Sequence, residues 1–232
     1  MNTLLILGSK PDPVLPPRSS YDHLACANAS GFLVAKRGLP VPAYTVMSAI
    51  LTHRESGKQS LRVLSGLQTD TLYFLPRSEK KRNPLKTAIY HLKTLHMKPF
   101  YFKWKLWSLA YKYKTFVNKS HSYYEKLVKE LCDYNEKILE LSQQKRPSTG
   151  IFALVIGIAQ QRYDRFIMSG FSFELTHAYA INPEIHESGT TVSKHADTDI
   201  ILLCYLSKKY GNIYTTEEIV NEHTDIPLLR ES

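Results

Sequence analysis

Three cysteines in 232 residues are too few and too scattered for a disulfide framework. Cys26, Cys132 and Cys204 also lack metal-ligand spacing, so the expectation is three free thiols in a reducing compartment, the cytoplasm. No run of about 18 apolar residues occurs, which argues against a membrane-spanning helix. The opening Met1-Asn2-Thr3-Leu4-Leu5-Ile6-Leu7-Gly8 has no basic leader and reads as a buried first strand, not a secretory signal. Neither a G-x-G-x-x-G fingerprint nor a Walker A loop is present, and no RRM, KH, zinc-finger or internal-repeat pattern appears.

Acid is scarce in one place. Between Arg77 and Lys119 stand twelve basic residues against Glu79 alone, a net +11. The rest of the chain holds 18 basic and 20 acidic residues, or −2, so one segment carries the whole +9 excess. Phe100, Tyr101, Phe102, Trp104, Trp107, Tyr111, Tyr113 and Phe116 alternate there with lysines. Such a segment suits peripheral contact with an anionic membrane, at the inner face of the inner membrane. The alternatives are a lid with inward-packed aromatics, or a nucleic-acid-binding module using 77–119.

The pattern along the chain predicts an α/β fold. Strands are expected at 3–8, Tyr21–Asn28, Ala43–Leu51, Leu61–Leu64, Thr71–Phe74, Arg165–Ser169 and Asn212–Tyr214. Helices are expected at Gly31–Arg37, Ile151–Gln161 and Asp197–Tyr210, with amphipathic stretches at Leu85–Leu95 and Tyr123–Ser142. Residues 1–76 and 146–232 then form the α/β domain, and 77–145 a helical, basic-aromatic insertion or lid.

Three places carry candidate chemistry. Gly8-Ser9-Lys10-Pro11 follows the first strand, where a nucleotide-binding sheet makes its first phosphate contact; taken alone, an ordinary turn is the better reading. Ser148-Thr149-Gly150 opens an apolar helix and either binds phosphate at its N-terminus or is a simple N-cap. His195 stands before Ala196-Asp197-Thr198-Asp199, with Asp197 or Thr198 expected to cap the helix and aim the imidazole as a general base. Asp197-Thr198-Asp199 resembles a metal-binding D-x-D, but these acids open a helix instead of following a strand. His91 and His96 are five apart and share no helical face, while His177 and His186 lie in a loop.

Taken in order, these segments resemble the bacterial sialyltransferases of glycosyltransferase family 42. The likeness rests on Ile6-Leu7-Gly8-Ser9-Lys10-Pro11, Cys26-Ala27-Asn28, Arg146-Pro147-Ser148-Thr149-Gly150, Met168-Ser169-Gly170-Phe171-Ser172-Phe173, and His195 followed by Thr198-Asp199-Ile200. The resemblance implies a single Rossmann-like domain (a GT-A-type variant) with a mainly parallel sheet and a lid. It further implies metal-independent, inverting transfer of a 2-keto sugar acid from CMP-sialic acid, or CMP-Kdo, to a glycan such as lipopolysaccharide. No cofactor or metal follows from it, and nucleic acid is not an expected partner. Gly8, Ser9, Lys10, Asn28, Ser148, Thr149, Gly150, Ser169 and Gly170 would hold the nucleotide and phosphate, with His195 as base. Tyr179 matches one of two phosphate-steadying tyrosines; Glu174 stands where the other is expected. The family's first loop, Gly-Asn-Gly-Pro-Ser, is Gly-Ser-Lys-Pro-Asp here.

Overall fold

The computed structural model describes residues 1–53, 55–77, 84–176, 178–179 and 192–230, without the side chains of 84–88. Seven parallel strands form one sheet in the order β5-β4-β3-β2-β1-β6-β7. They are β1 (Thr3–Leu7), β2 (His23–Ala27), β3 (Tyr44–Ser48), β4 (Gln68–Leu75), β5 (Lys112–Asn118), β6 (Arg165–Ser169) and β7 (Ile213–Thr215). The helices are α1 (Gly31–Arg37), α2 (Glu55–Arg62), α3 (Pro84–Lys93), α4 (Pro99–Ser108), α5 (His121–Leu131), α6 (Glu136–Gln144), α7 (Thr149–Ala159), α8 (Ala196–Tyr210) and α9 (Glu218–Thr224). The chain builds outward from β1 to β5, then returns to β6 on the other side of β1. The order therefore reverses between β1 and β6, and in open α/β sheets ligands bind at the carboxyl ends of strands at such a point.

Both faces of the sheet are covered, so successive residues of β1 are apolar without alternation. Leu4 and Ile6 pack with α7, whereas Leu5 and Leu7 pack with Leu24, Cys26 and Ile167 on the opposite face. Helix α7 is apolar all round, and Gly150 through Ile158 are all buried. A helix of that kind needs cover on every side. The sheet lies beneath it, and Tyr124 and Val128 of α5 and Leu202, Leu203 and Leu206 of α8 join the same core. Each fully buried Leu or Ile contributes about 1.5–3 kcal/mol. On the other face, Phe102 and Leu106 of α4 and Leu61 of α2 close over Met47, Leu72 and Phe74.

Three expectations change. Leu61–Leu64 is not a strand: Leu61 ends α2, and Leu64, three residues on, is buried beside it with Arg62 exposed between them. Apolar spacing of three fits a helical face, and a stretch of four residues alone cannot separate the two periods. Lys112–Asn118 lies within 77–145 yet forms β5, pairing in parallel from Gln68↔Lys112 to Phe74↔Asn118. That run of Tyr, Thr, Phe and Val has high strand propensity, which outweighs its flanking lysines. The expected single amphipathic stretch Tyr123–Ser142 is two helices, broken where Asp133 and Tyr134 take positive φ.

Candidate active site

The carboxyl ends of the strands gather most of the expected residues. At the switch point, Gly8 donates its N–H to Ser169 O at 2.8 Å, and Lys10 donates to Gly170 O at 2.9 Å. A Cβ on Gly8 would stand 2.2 Å from the Gly170 carbonyl oxygen, so only glycine allows the two loops to meet. Ser9 Oγ lies 3.3 Å from Thr176 Oγ1, which ties the loop after β1 to the segment after β6. Asn28 has φ of 50° and accepts the Ser48 N–H at 3.0 Å, joining the ends of β2 and β3.

Lys10 and Ser169 are engaged within the frame. The Lys10 ammonium pairs with Glu217, whose side chain is only 1% exposed. Glu217 Oε1 also accepts the N–H groups of Val14 at 3.0 Å and Gly170 at 2.9 Å. The Ser169 hydroxyl donates to Val14 O at 2.8 Å. One buried carboxylate thus latches the loop after β1, the end of β6 and the start of α9. Sequence reasoning passed over Glu217, which sits 207 residues from Lys10. A cavity of about 670 Å³ opens beside this latch, lined by Lys10, Val14, Pro17, Thr216, Glu217 and Arg230. It contains neither Thr149 nor His195, so it is separate from the candidate chemistry.

The second half of the site is where α7 and α8 begin. Ser148 is the N-cap of α7, its hydroxyl accepting the Ile151 N–H at 3.4 Å. Its own N–H donates to Asp199 Oδ1 at 2.8 Å. Thr198 donates its hydroxyl to Lys145 O at 2.8 Å, while exposed Asp197 pairs with Lys145 at 3.1 Å. Neither Asp197 nor Thr198 caps α8; the N-cap position falls on His195, with no side-chain cap. Thr198 and Asp199 instead face the strap 145–148, because both are buried against it. Gly150 packs under Phe171, where an added Cβ would come within 2.7 Å of the ring. At an N-terminus such as that of α7, the first backbone N–H groups and the positive end of the helix dipole favour an anion.

His195 Nδ1 meets the Arg146 carbonyl at 2.7 Å. A carbonyl only accepts, so Nδ1 carries the proton and Nε2 holds the free lone pair. Burial pushes the imidazole pKa below its ordinary 6.5; the Arg146 carbonyl opposes this, and the charges of Lys194, Arg146 and Lys145 reinforce it. The ring is therefore neutral at pH 7. Arg146 itself is half-buried, donating to Pro76 O at 3.1 Å and Ser48 Oγ at 3.2 Å, which anchors the strap over the ends of β3 and β4. Burial sets Asp199: it pushes the carboxyl up to about 7, against the lowering bonds from Ser148.

Tyr179 is held against α2, its hydroxyl 3.1 Å from Ser60 Oγ and donating to Ser56 O at 3.3 Å. Glu174 is exposed and bridges Val192 through its backbone, so its side chain does not face inward as a buried charge. His177 and His186 lie outside the described residues.

Solved structures decide the fold comparison. CstII from Campylobacter jejuni with cytidine-5'-monophosphate matches over 99% of this chain and 86% of its own, with TM-score 0.53 and 16% identity. CstII with a trisaccharide acceptor and CMP matches with TM-score 0.57, again at 16% identity, 99% and 86%. The chain shares the fold of these sialyltransferases. Monofunctional α-2,3-sialyltransferase Cst-I from the same organism matches over 100% of this chain and 83% of its own, with TM-score 0.56 and 17% identity. No protein-family model and no curated protein matches the sequence. Among the described residues, no helix is long and apolar enough to cross a membrane.

Proposed function

We propose that this chain is a glycosyltransferase of the sialyltransferase type, taking a 2-keto sugar acid from its CMP donor. Sialic acid is the first candidate, since the structural neighbours are sialyltransferases bound to CMP, a CMP-sugar analogue or a trisaccharide acceptor. CMP-Kdo has the same leaving group and anomeric chemistry and remains the second donor to try. The acceptor is a glycan hydroxyl, on lipopolysaccharide or a related surface glycan assembled at the inner face of the membrane. Binding of nucleic acid through 77–119 is not favoured by a fold of this kind.

The observation that carries the reading is the His195–Arg146 hydrogen bond, which supports a neutral imidazole whose Nε2 is unengaged among the described residues, beside the start of α7. In the proposed reaction, Nε2 takes the proton of the acceptor hydroxyl as its oxygen bonds to the anomeric carbon. The bond from that carbon to the CMP phosphate oxygen breaks on the opposite face, so configuration inverts. Charge grows on the departing phosphate, and in this scheme the N–H groups of Thr149 and Gly150 with the Ser9 hydroxyl stabilise it. Losing one such donor typically costs about 3 kcal/mol, or roughly a hundredfold in rate. The leaving CMP needs no metal in this scheme. Tyr179 is assigned to the phosphate only if it leaves Ser60, and Lys10 acts through Glu217.

Incubation with CMP-sialic acid or CMP-Kdo and a glycan acceptor, followed by CMP release, tests this directly. Acceptor-dependent release that is lost in His195→Ala supports the reading. Release that survives the substitution removes His195 from it.

A further inference from the structure

Helix α4 is apolar on two opposite sides. Phe102 and Leu106 face the core, in contact with Phe74 and Met97. Phe100, Trp104 and Trp107 recur at i, i+4 and i+7, so they share the other side. They are 63%, 53% and 77% exposed. Ile89, Leu92 and Leu95, just upstream, are exposed as well. An apolar helix face of this size calls for cover that the described residues do not give. Charge narrows the occupant. From Lys93 to Lys119 the sequence has seven lysines and no acid, and Lys103 stands over the Phe116 ring of edge strand β5.

We infer that the outer face of α4 docks on an anionic lipid bilayer. Indole and phenyl rings settle at headgroup level, and the surrounding lysines meet the negative surface potential. A second copy of the chain fits poorly, because two such positive surfaces repel. Nucleic acid fits less well, since Ile89, Leu92 and Leu95 extend the face with aliphatic surface that neither stacks on bases nor meets phosphate. The inference rests on the surface alone and holds whichever donor the site takes.

Trp104 and Trp107 are the only tryptophans in the chain, so intrinsic fluorescence reports on this face and no other. Vesicles of phosphatidylcholine with one-quarter phosphatidylglycerol should shift emission to the blue and pellet the protein in 0.1 M salt. Pure phosphatidylcholine vesicles, or 1 M salt, should do so far less. Lys103→Gln should weaken binding roughly fivefold, as about 1 kcal/mol per lysine predicts. Trp104→Ser with Trp107→Ser should abolish pelleting while leaving the melting temperature and CMP release onto a soluble acceptor unchanged. The idea is overturned by unchanged emission and no pelleting with anionic vesicles. It is equally overturned if the blue shift appears with an oligonucleotide in place of vesicles, or with rising protein concentration alone through self-association.

Discussion

Glu217 offers the sharpest test of how the switch point is held. Its carboxylate is buried and meets three partners: the Lys10 ammonium, the Val14 N–H and the Gly170 N–H. Replacement by alanine leaves two backbone donors without an acceptor, each costing about 1–3 kcal/mol when buried. Lys10 is about one-third exposed and can recover water, so its own share is small. The expected loss is about 3–5 kcal/mol, the range for breaking a buried pair from one side. Glu217→Gln keeps an acceptor oxygen and loses only the charge, so about 1–2 kcal/mol is expected. Urea unfolding gives both values, with an unchanged slope showing that the denatured state is not altered. Lys10→Met should cost less than either, and the Lys10→Met, Glu217→Gln pair should be non-additive. The latch is refuted if Glu217→Ala costs under about 1 kcal/mol, or if the Gln variant is as damaging as the Ala variant.

Other outcomes follow from the α7–α8 junction. His195→Gln should lower transfer by about 10²–10⁴ while CMP still binds. In the native protein, a rate limb with its midpoint above pH 7 would contradict a depressed imidazole pKa. Protonation of His195 is favoured in the unfolded chain, so its contribution to stability is complete above pH 6.5 and is lost as pH falls through the lower native value. Asp199 runs the other way: the unfolded carboxyl ionises near 3.8 and the native one near 7, so stability falls as pH rises between them. Asp199→Asn, which can still accept the Ser148 N–H, should flatten that fall, with a gap from native approaching about 4 kcal/mol by neutral pH. Parallel stability profiles for the two proteins would dismiss it. Gly150→Ala should cost about 1–3 kcal/mol by pressing on Phe171, and Phe171→Leu in the same chain should recover part of it; thermal unfolding decides.

Much of the architecture is legible because its causes are local. Residues 4–7 are a continuous apolar run, and a strand covered on both faces needs that. The Gly31–Arg37 helix ends at Gly38 in the left-handed conformation, a stop the sequence displays. Ser148 ahead of an apolar run marks the N-cap of α7, which starts two residues before the expected Ile151. The candidate base was readable too, but its orientation was not. The Asp197-Thr198 cap seemed the natural device for aiming His195, whereas the Arg146 carbonyl, 49 residues earlier, holds the ring. Edge strand β5 was hidden for a different reason: it buries little, so its pattern shows charge more than alternation.

By itself, then, the sequence determined where β1 to β4, β6, β7 and the apolar α7 lie, which charges gather in 77–119, and which turns can present hydroxyls and N–H groups. Those depend on propensity, period and capping among neighbours within a few residues. Tertiary structure alone decided that Gly8 meets Gly170, that Lys10 answers Glu217, that Asp199 takes the Ser148 N–H, and which side of α4 stays uncovered. Each of those is a contact, or the want of one, between segments far apart in the chain. Only the parallel sheet, by bringing all strand carboxyl ends to one edge, sets such segments face to face.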